Sequence, residues 1–205
     1  MGRSTKQQSL ETAAAILTHA RERFAASSFA AVSLEEIARA AGVTRGAVYH
    51  HFGSSEGLFV RVHEQAQGDL AAAIAHETAD LDDPERSLRS GSRVFMRTVV
   101  SPSLRQIVLV DGPAVLGWAR WRDADAQNSG AHLTEVLEEL HDAGQLRSRD
   151  PEATSALLSG AMNELALWVA HHPAPADALE RALAAIELAI DGEVVPPPAR
   201  TAPTN

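Results

Sequence analysis

Residues 29–58, FAAVSLEEIARAAGVTRGAVYHHFGSSEGL, decide the fold of the amino-terminal third of the chain. Ser33 stands where a helix cap is needed, and Glu36, three residues on, can close a capping box with it. Ile37, Ala38 and Ala41 continue that helix until Gly42, which suits the left-handed residue that ends a helix. Val43 then plugs the corner, and Thr44 caps a third short helix over 45–50 with Val48 as its inward anchor. Two short helices joined in this way, with small residues where they cross, have helix-turn-helix proportions. The second helix must offer short or polar side chains outward to enter a major groove about 12 Å wide. Thr44, Arg45, Gly46, Ala47, Tyr49 and His50 meet that demand. Thr44 and Tyr49 can donate to phosphates, Arg45 can reach guanine edges, and Gly46 and Ala47 permit close approach to bases.

Upstream, Leu10, Ala13, Ala14, Leu17, Ala20 and Phe24 recur at helical spacing, and residues 1–8 are polar without periodicity and read as a flexible arm. Downstream, Ser54 or Ser55 caps a fourth helix carrying Leu58, Val62, Leu70 and Ile74. Asp82, Asp83 and Pro84 mark a break and a new start, followed by a helix over 85–101. Residues 104–110 form a short segment whose apolar run could be read as strand, with no partner strand to pair with. Asp111, Gly112 and Pro113 read as a turn, and one long helix is expected over 114–143, loosened near Asn128. Two terminal helices follow over 151–171 and 176–191, then a proline-rich tail. The expectation is an all-α fold of about nine helices. It divides into an arm (1–8), a helix-turn-helix head (9–54), a helical body (55–192) and a disordered tail (193–205).

The chain has 205 residues, 45% of them hydrophobic, a formal net charge of −9 and no cysteine. Absence of cysteine excludes disulfides, thiol nucleophiles and cysteine-ligated metal. The acidic total argues at first against nucleic acid, but residues 1–60 carry six basic groups (Arg3, Lys6, Arg21, Arg23, Arg39, Arg45) against five acids (Glu11, Glu22, Glu35, Glu36, Glu56). That distribution suits a DNA-facing head on an acidic body. No apolar run reaches the length of a membrane span and no secretory signal is recognisable, so a soluble cytoplasmic protein is expected. His63-Glu64 and His76-Glu77 begin zinc-protease-like runs, but Gln67 and Asp80 stand where the second histidine belongs. Phosphate loops and serine-hydrolase elbows are missing, so no catalytic residue, metal or cofactor is expected.

The run over 29–58 resembles the DNA-binding head of the TetR (tetracycline repressor) family of bacterial transcription regulators. The resemblance is carried by the Ile37-Ala38-Ala41-Gly42-Val43 frame, Tyr49, His51-Phe52, and Glu56 with Leu58. It implies a homodimer that binds a palindromic double-stranded operator and is released by a small-molecule effector. DNA contacts carried over from the family fall on Ser33, Leu34, Thr44, Arg45, Gly46, Ala47, Tyr49, His50, Ser54 and Ser55. The sequence departs from the pattern at Ser55, where a lysine is usual, and at Ser28, where a glycine is usual. Arg3 and Lys6 could add contacts from the arm.

For the body the resemblance implies only general roles. The rows Leu158, Ala161, Leu165 and Leu179, Leu183, Ile186, Ile190 could form a dimer surface, or be buried inside one subunit. Phe95, Met96, Val99, Trp118, Trp121 and Trp168, with Asp111, Asn163 and Glu164 as polar groups, are candidates for an effector pocket, the alternative being plain core packing. A competing class is a helical small-molecule-binding protein or enzyme that no longer recognises an operator.

Overall fold

The computed structural model describes residues 2–195, with side chains from Lys6 onward. The described residues are almost wholly helical, as expected, and their single β-bridge joins Leu146 to Val194. Among them, no single helix is long and apolar enough to cross a membrane. The chain divides into two compact units, each assembled from two stretches of sequence.

The first unit comprises residues 1–69 and 101–124. Helix α1 (Gly2–Ala26) begins at Gly2, so most of the segment read as an arm is helical. Its inward residues are Ile16, Ala20 and Phe24, whereas Leu10 is 58% exposed. A 3-10 turn (Phe29–Ala31) leads into α2 (Leu34–Ala40) and α3 (Arg45–Phe52). Phe24, Phe29 and Phe59 form an aromatic cluster with centroids 5.2 to 5.8 Å apart, which fastens the end of α1, the turn and the start of α4 (Ser55–Thr78) together. The expected turn at Asp111 is absent. Helix α5 (Pro84–Val99) is followed by α6 (Pro102–Arg105), and then by a π-helical stretch, Gln106–Asp111, that runs straight into α7 (Gly112–Leu116). Wider winding takes carbonyls out of the usual ladder, and that of Val108 accepts the indole N–H of Trp121 at 2.8 Å. The segment that could be read as strand is therefore a buried π-helical turn contributing Ile107, Val108 and Leu109 to the core.

The second unit comprises residues 70–100 and 125–205. The long helix expected over 114–143 is interrupted at Gly117 and again at Asn128, giving α8 (Trp118–Gln127) and α9 (Ser129–Asp142). Helix α5 packs on α9, α9 on α10 (Pro151–His171), and α10 on α11 (Pro175–Glu193). Helices α5 and α10 start as the sequence demands, with Asp83 and Asp150 accepting backbone N–H bonds at 3.1 and 3.0 Å ahead of Pro84 and Pro151. Arg89 ties α5 to α11 through Glu187 and Asp191 at 2.8 and 2.7 Å, and also holds Glu85 on its own helix. Residues 193–195 are not free: Arg147 N–H donates to the Glu193 carbonyl at 2.7 Å and Val195 N–H to that of Gln145 at 2.9 Å. The rest of the expected tail, 196–205, lies outside the described residues.

Candidate nucleic-acid interface

The corner between α2 and α3 is built as its residues require. Gly42 has φ +68°, a conformation that costs a side-chain-bearing residue about 1–2 kcal/mol. Its neighbour Val43 donates its N–H to the Ala38 carbonyl at 2.9 Å, closing the helix end. Thr44 caps α3, its hydroxyl accepting from the Ala47 N–H at 3.2 Å. Ser33 does not form the expected capping box. Its hydroxyl donates sideways to Glu35 at 3.0 Å, and Glu36 is left with Arg23 at 3.9 Å.

Helix α3 buries Val48 and presents Arg45, Gly46, Tyr49 and His50 to solvent, Tyr49 being 41% exposed. Thr44 is exposed beside them and Ala47 is half-buried. Leu34 departs from the carried-over contact set: its side chain is 7% exposed and packs inward, because the first turn of α2 supplies core to a small unit. Ser54 caps α4, its hydroxyl accepting from the Gly57 N–H at 3.0 Å, and Ser55 opens that helix half-buried. Sequence reasoning missed Gly57. A Cβ there would stand 2.1 Å from the Phe52 carbonyl oxygen, so only glycine lets α4 start this close to the end of α3.

It also missed the group that faces Arg45. The Arg45 guanidinium donates to the Glu35 carboxylate and, at 3.0 Å, to the Tyr49 hydroxyl, with its carbon 5.3 Å from the Tyr49 ring centre. The Glu35 carboxyl is held below its ordinary range, first by its own backbone N–H, then by the Ser33 hydroxyl and by Arg45. Arg45 is pushed up, first by the Tyr49 hydrogen bond and then by the Glu35 charge. An acidic residue on a face otherwise fitted for DNA gave no periodicity or spacing signal.

The body residues fall differently from expectation. Asp111 is buried in the first unit, where its carboxylate accepts the Phe29 N–H at 2.8 Å. Trp121 is buried there too, while Trp118 is 69% exposed. In the second unit, Ile74, Leu88, Phe95, Leu133, Val136 and Met162 wall a narrow cavity, with Ser92, Asp125, Ser129, His132 and Ser159 as its polar rim. It has room for little more than about one water molecule. Ser129 and Ser159 each donate to Asp125 at 3.0 Å. Burial holds the His132 imidazole below its ordinary value against the opposing charges of Glu135 and Glu139. Of the nine expected pocket residues only Phe95 is in this lining; Met96, Val99 and Asn163 are buried elsewhere in the second unit, and Glu164 and Trp168 line a surface groove with Arg181.

The terminal stripes correct in the same way. Leu158, Leu183, Ile186 and Ile190 are buried within the unit, and Leu179 is half-buried. A helix has to bury one stripe against its own subunit before it can offer another, and spacing alone does not say which is which. The exposed apolar residues lie off those rows, at Leu157 (59% exposed) and Leu188 (71%), with Gly160 and Ala185 exposed and Ala161 and Leu165 partly so.

A glycine-turned corner and a capped short helix with polar and small side chains outward, in a chain that also forms a second helical unit, define the class of helix-turn-helix regulators. Residues 16–62 match the bacterial regulatory proteins of the tetR family, and residues 85–193 match the tetracyclin repressor-like C-terminal domain. The chain belongs to the TetR family. It is 33% identical over 110 residues to the transcriptional regulator AcrR of Shigella flexneri, covering 53% of this chain and 51% of that protein. It is 32% identical over 110 residues to a probable acrEF/envCD operon repressor of Escherichia coli K12, covering 53% and 50%. The matches to these two relatives thus span about half of their length. A crystal structure of a TetR-family transcriptional regulator from Pectobacterium atrosepticum is similar throughout, with 30% identity, a TM-score of 0.80 and coverage of 94% of this chain and 98% of that one. Family membership sets the protein among transcription regulators rather than enzymes.

Proposed function

We propose that the protein is a ligand-responsive, homodimeric DNA-binding regulator, a repressor that leaves a palindromic operator when a small molecule binds its helical body, and that it acts in the cytoplasm. The observation that carries this is helix α3, anchored by buried Val48 and capped by Thr44, with Arg45, Gly46, Tyr49 and His50 on its exposed side. One such helix reads too few base pairs for useful specificity, and a two-fold pair spaced by about 34–36 Å doubles the site. The face of α10 and α11 that bears Leu157, Gly160, Ala185 and Leu188 is the surface for the second copy, since exposed leucines beside small residues permit close helix approach. The effector site is the cavity walled by Ile74, Phe95 and Met162, which must open by side-chain rearrangement to admit a ligand. Helix α4 carries Ile74, so a ligand there bears directly on the helix whose first turn begins at Ser55. A coupling of about 1–3 kcal/mol, equivalent to roughly 5- to 150-fold in affinity, is the usual scale for such release.

The test is a salt series of gel shifts on DNA from upstream of the protein's own gene. Arg45→Ala and Tyr49→Ala are each expected to weaken binding by about 1–3 kcal/mol. Operator affinity unchanged in both variants would refute the assignment of α3 as the reading helix.

A further inference from the structure

We propose that Glu35 is a specificity-determining residue of the DNA-reading surface, acting by occupying the Arg45 guanidinium and withholding it from backbone phosphates. The inference rests on the DNA-binding reading above. Its observations are independent of that reading: Arg45 Nη1 donates to Glu35 Oε1, Nη2 donates to the Tyr49 hydroxyl at 3.0 Å, and Ser33 donates to the other Glu35 oxygen at 3.0 Å. Ser33, Glu35, Arg45 and Tyr49 thus form one chain of contacts across the outer faces of α2 and α3. Its charged pair is accessible to a duplex, the Arg45 and Glu35 side chains being 55% and 51% exposed.

Most sequence-independent affinity for DNA comes from cations that neutralise phosphates and release counterions. An arginine already matched by a carboxylate contributes little to that term, and the carboxylate itself repels the backbone. A guanidinium has five N–H donors, and the two protein contacts leave three for a base. Paired acceptors such as guanine O6 and N7 can engage that fork with its orientation fixed by Glu35 and Tyr49. Glu35 therefore lowers non-specific binding while preserving, and aiming, the base contact. The result is a larger ratio of specific to non-specific affinity from an amino-terminal stretch, residues 1–60, whose basic groups barely outnumber its acids.

The experiment uses the full-length protein and two duplexes of equal length and composition: one enriched from a random library by the wild-type protein, and its scrambled counterpart. Dissociation constants are measured by fluorescence anisotropy between 50 and 200 mM KCl for wild type, Glu35→Gln, Arg45→Ala and the double variant. One added unit of net charge steepens the slope of log K against log salt by about 0.9, or roughly 3.5-fold across that fourfold salt range. Glu35→Gln is expected to bind the scrambled duplex several-fold tighter at 50 mM, with that steeper slope, and to lose discrimination between duplexes. In the Arg45→Ala background Glu35→Gln should no longer change discrimination. An unchanged slope and ratio in Glu35→Gln overturns the proposal, as does an equal loss of discrimination with and without Arg45. Failure of the wild type to prefer the enriched duplex overturns instead the reading on which the proposal rests.

Discussion

Replacing Gly57 by alanine sets two effects of known sign against each other. Alanine is the better helix former by about 0.8–1.0 kcal/mol, and Gly57 lies in the first turn of α4. Against this, the added methyl would stand 2.1 Å from the Phe52 carbonyl oxygen and 3.3 Å from its carbon, whereas Cβ atoms essentially never come nearer than 3.0 Å to a neighbour. Relief requires α3 and α4 to separate by roughly an ångström at a backbone carbonyl, which no side-chain rotation can provide. Overpacking of this kind costs about 1–3 kcal/mol, and a clash this close to a backbone atom belongs in the upper part of that range, about 2–3 kcal/mol, so set against the propensity gain the net loss is about 1–2 kcal/mol. Gly68 offers a control on the same helix, because a Cβ there meets nothing within 4 Å. Gly68→Ala should gain about 0.8–1.0 kcal/mol from propensity alone. Urea unfolding followed by circular dichroism should therefore move the two midpoints in opposite directions. Thermal midpoints should fall and rise by about 2–4 °C per kcal/mol. Should Gly57→Ala prove as stable as Gly68→Ala, the close approach of α4 to Phe52 is not a constraint in solution and the reasoning fails.

Two further outcomes follow from single residues. Asp111→Ala leaves the Phe29 N–H without its acceptor and should cost about 1–3 kcal/mol, with Asp111→Asn costing less because an amide oxygen still accepts. Hydrogen exchange at the Phe29 amide, fast in the alanine variant and slow in wild type, checks this, and equal protection in both would count against it. His132, whose imidazole burial holds below its ordinary value, takes up its proton more readily unfolded than folded. Stability should therefore be full above the unfolded pKa of about 6.5 and fall as pH drops through it toward the folded value. His132→Gln should flatten that decline between pH 7 and pH 5, and an identical pH profile in variant and wild type would refute it.

The head was legible because its determinants are local. A cap at Thr44, a left-handed glycine at Gly42 and one inward anchor at Val48 are each written in a few adjacent residues, and each is found where the sequence places it. Ser33 was misleading because a serine hydroxyl has several partners within reach, and here it turns to Glu35 rather than to the helix N–H groups. The middle of the chain resisted reading for another reason. The run at 106–111 is apolar enough for strand or helix, and its π-winding is tied to an acceptor contact with Trp121, thirteen residues away. Asp111 looked like a ligand group because its use, a hydrogen bond to Phe29, is 82 residues distant in sequence. The terminal helices showed apolar periodicity faithfully. Which stripe is spent on the subunit and which remains exposed is a property of three-dimensional packing, and Leu157 and Leu188 carry it without any local mark.

The first unit is assembled from 1–69 and from 101–124, two stretches separated by thirty-one residues of the other unit. Helices α2 and α3 and the buried residues Leu104, Ile107, Leu109 and Trp121 thus belong to one compact unit although they are far apart in the gene. Modular exchange of the head with another regulator cannot then be achieved by a single crossover near residue 69. Such a recombinant would lack the 101–124 stretch of the unit that carries α2 and α3, and a viable chimaera needs that stretch to travel with it.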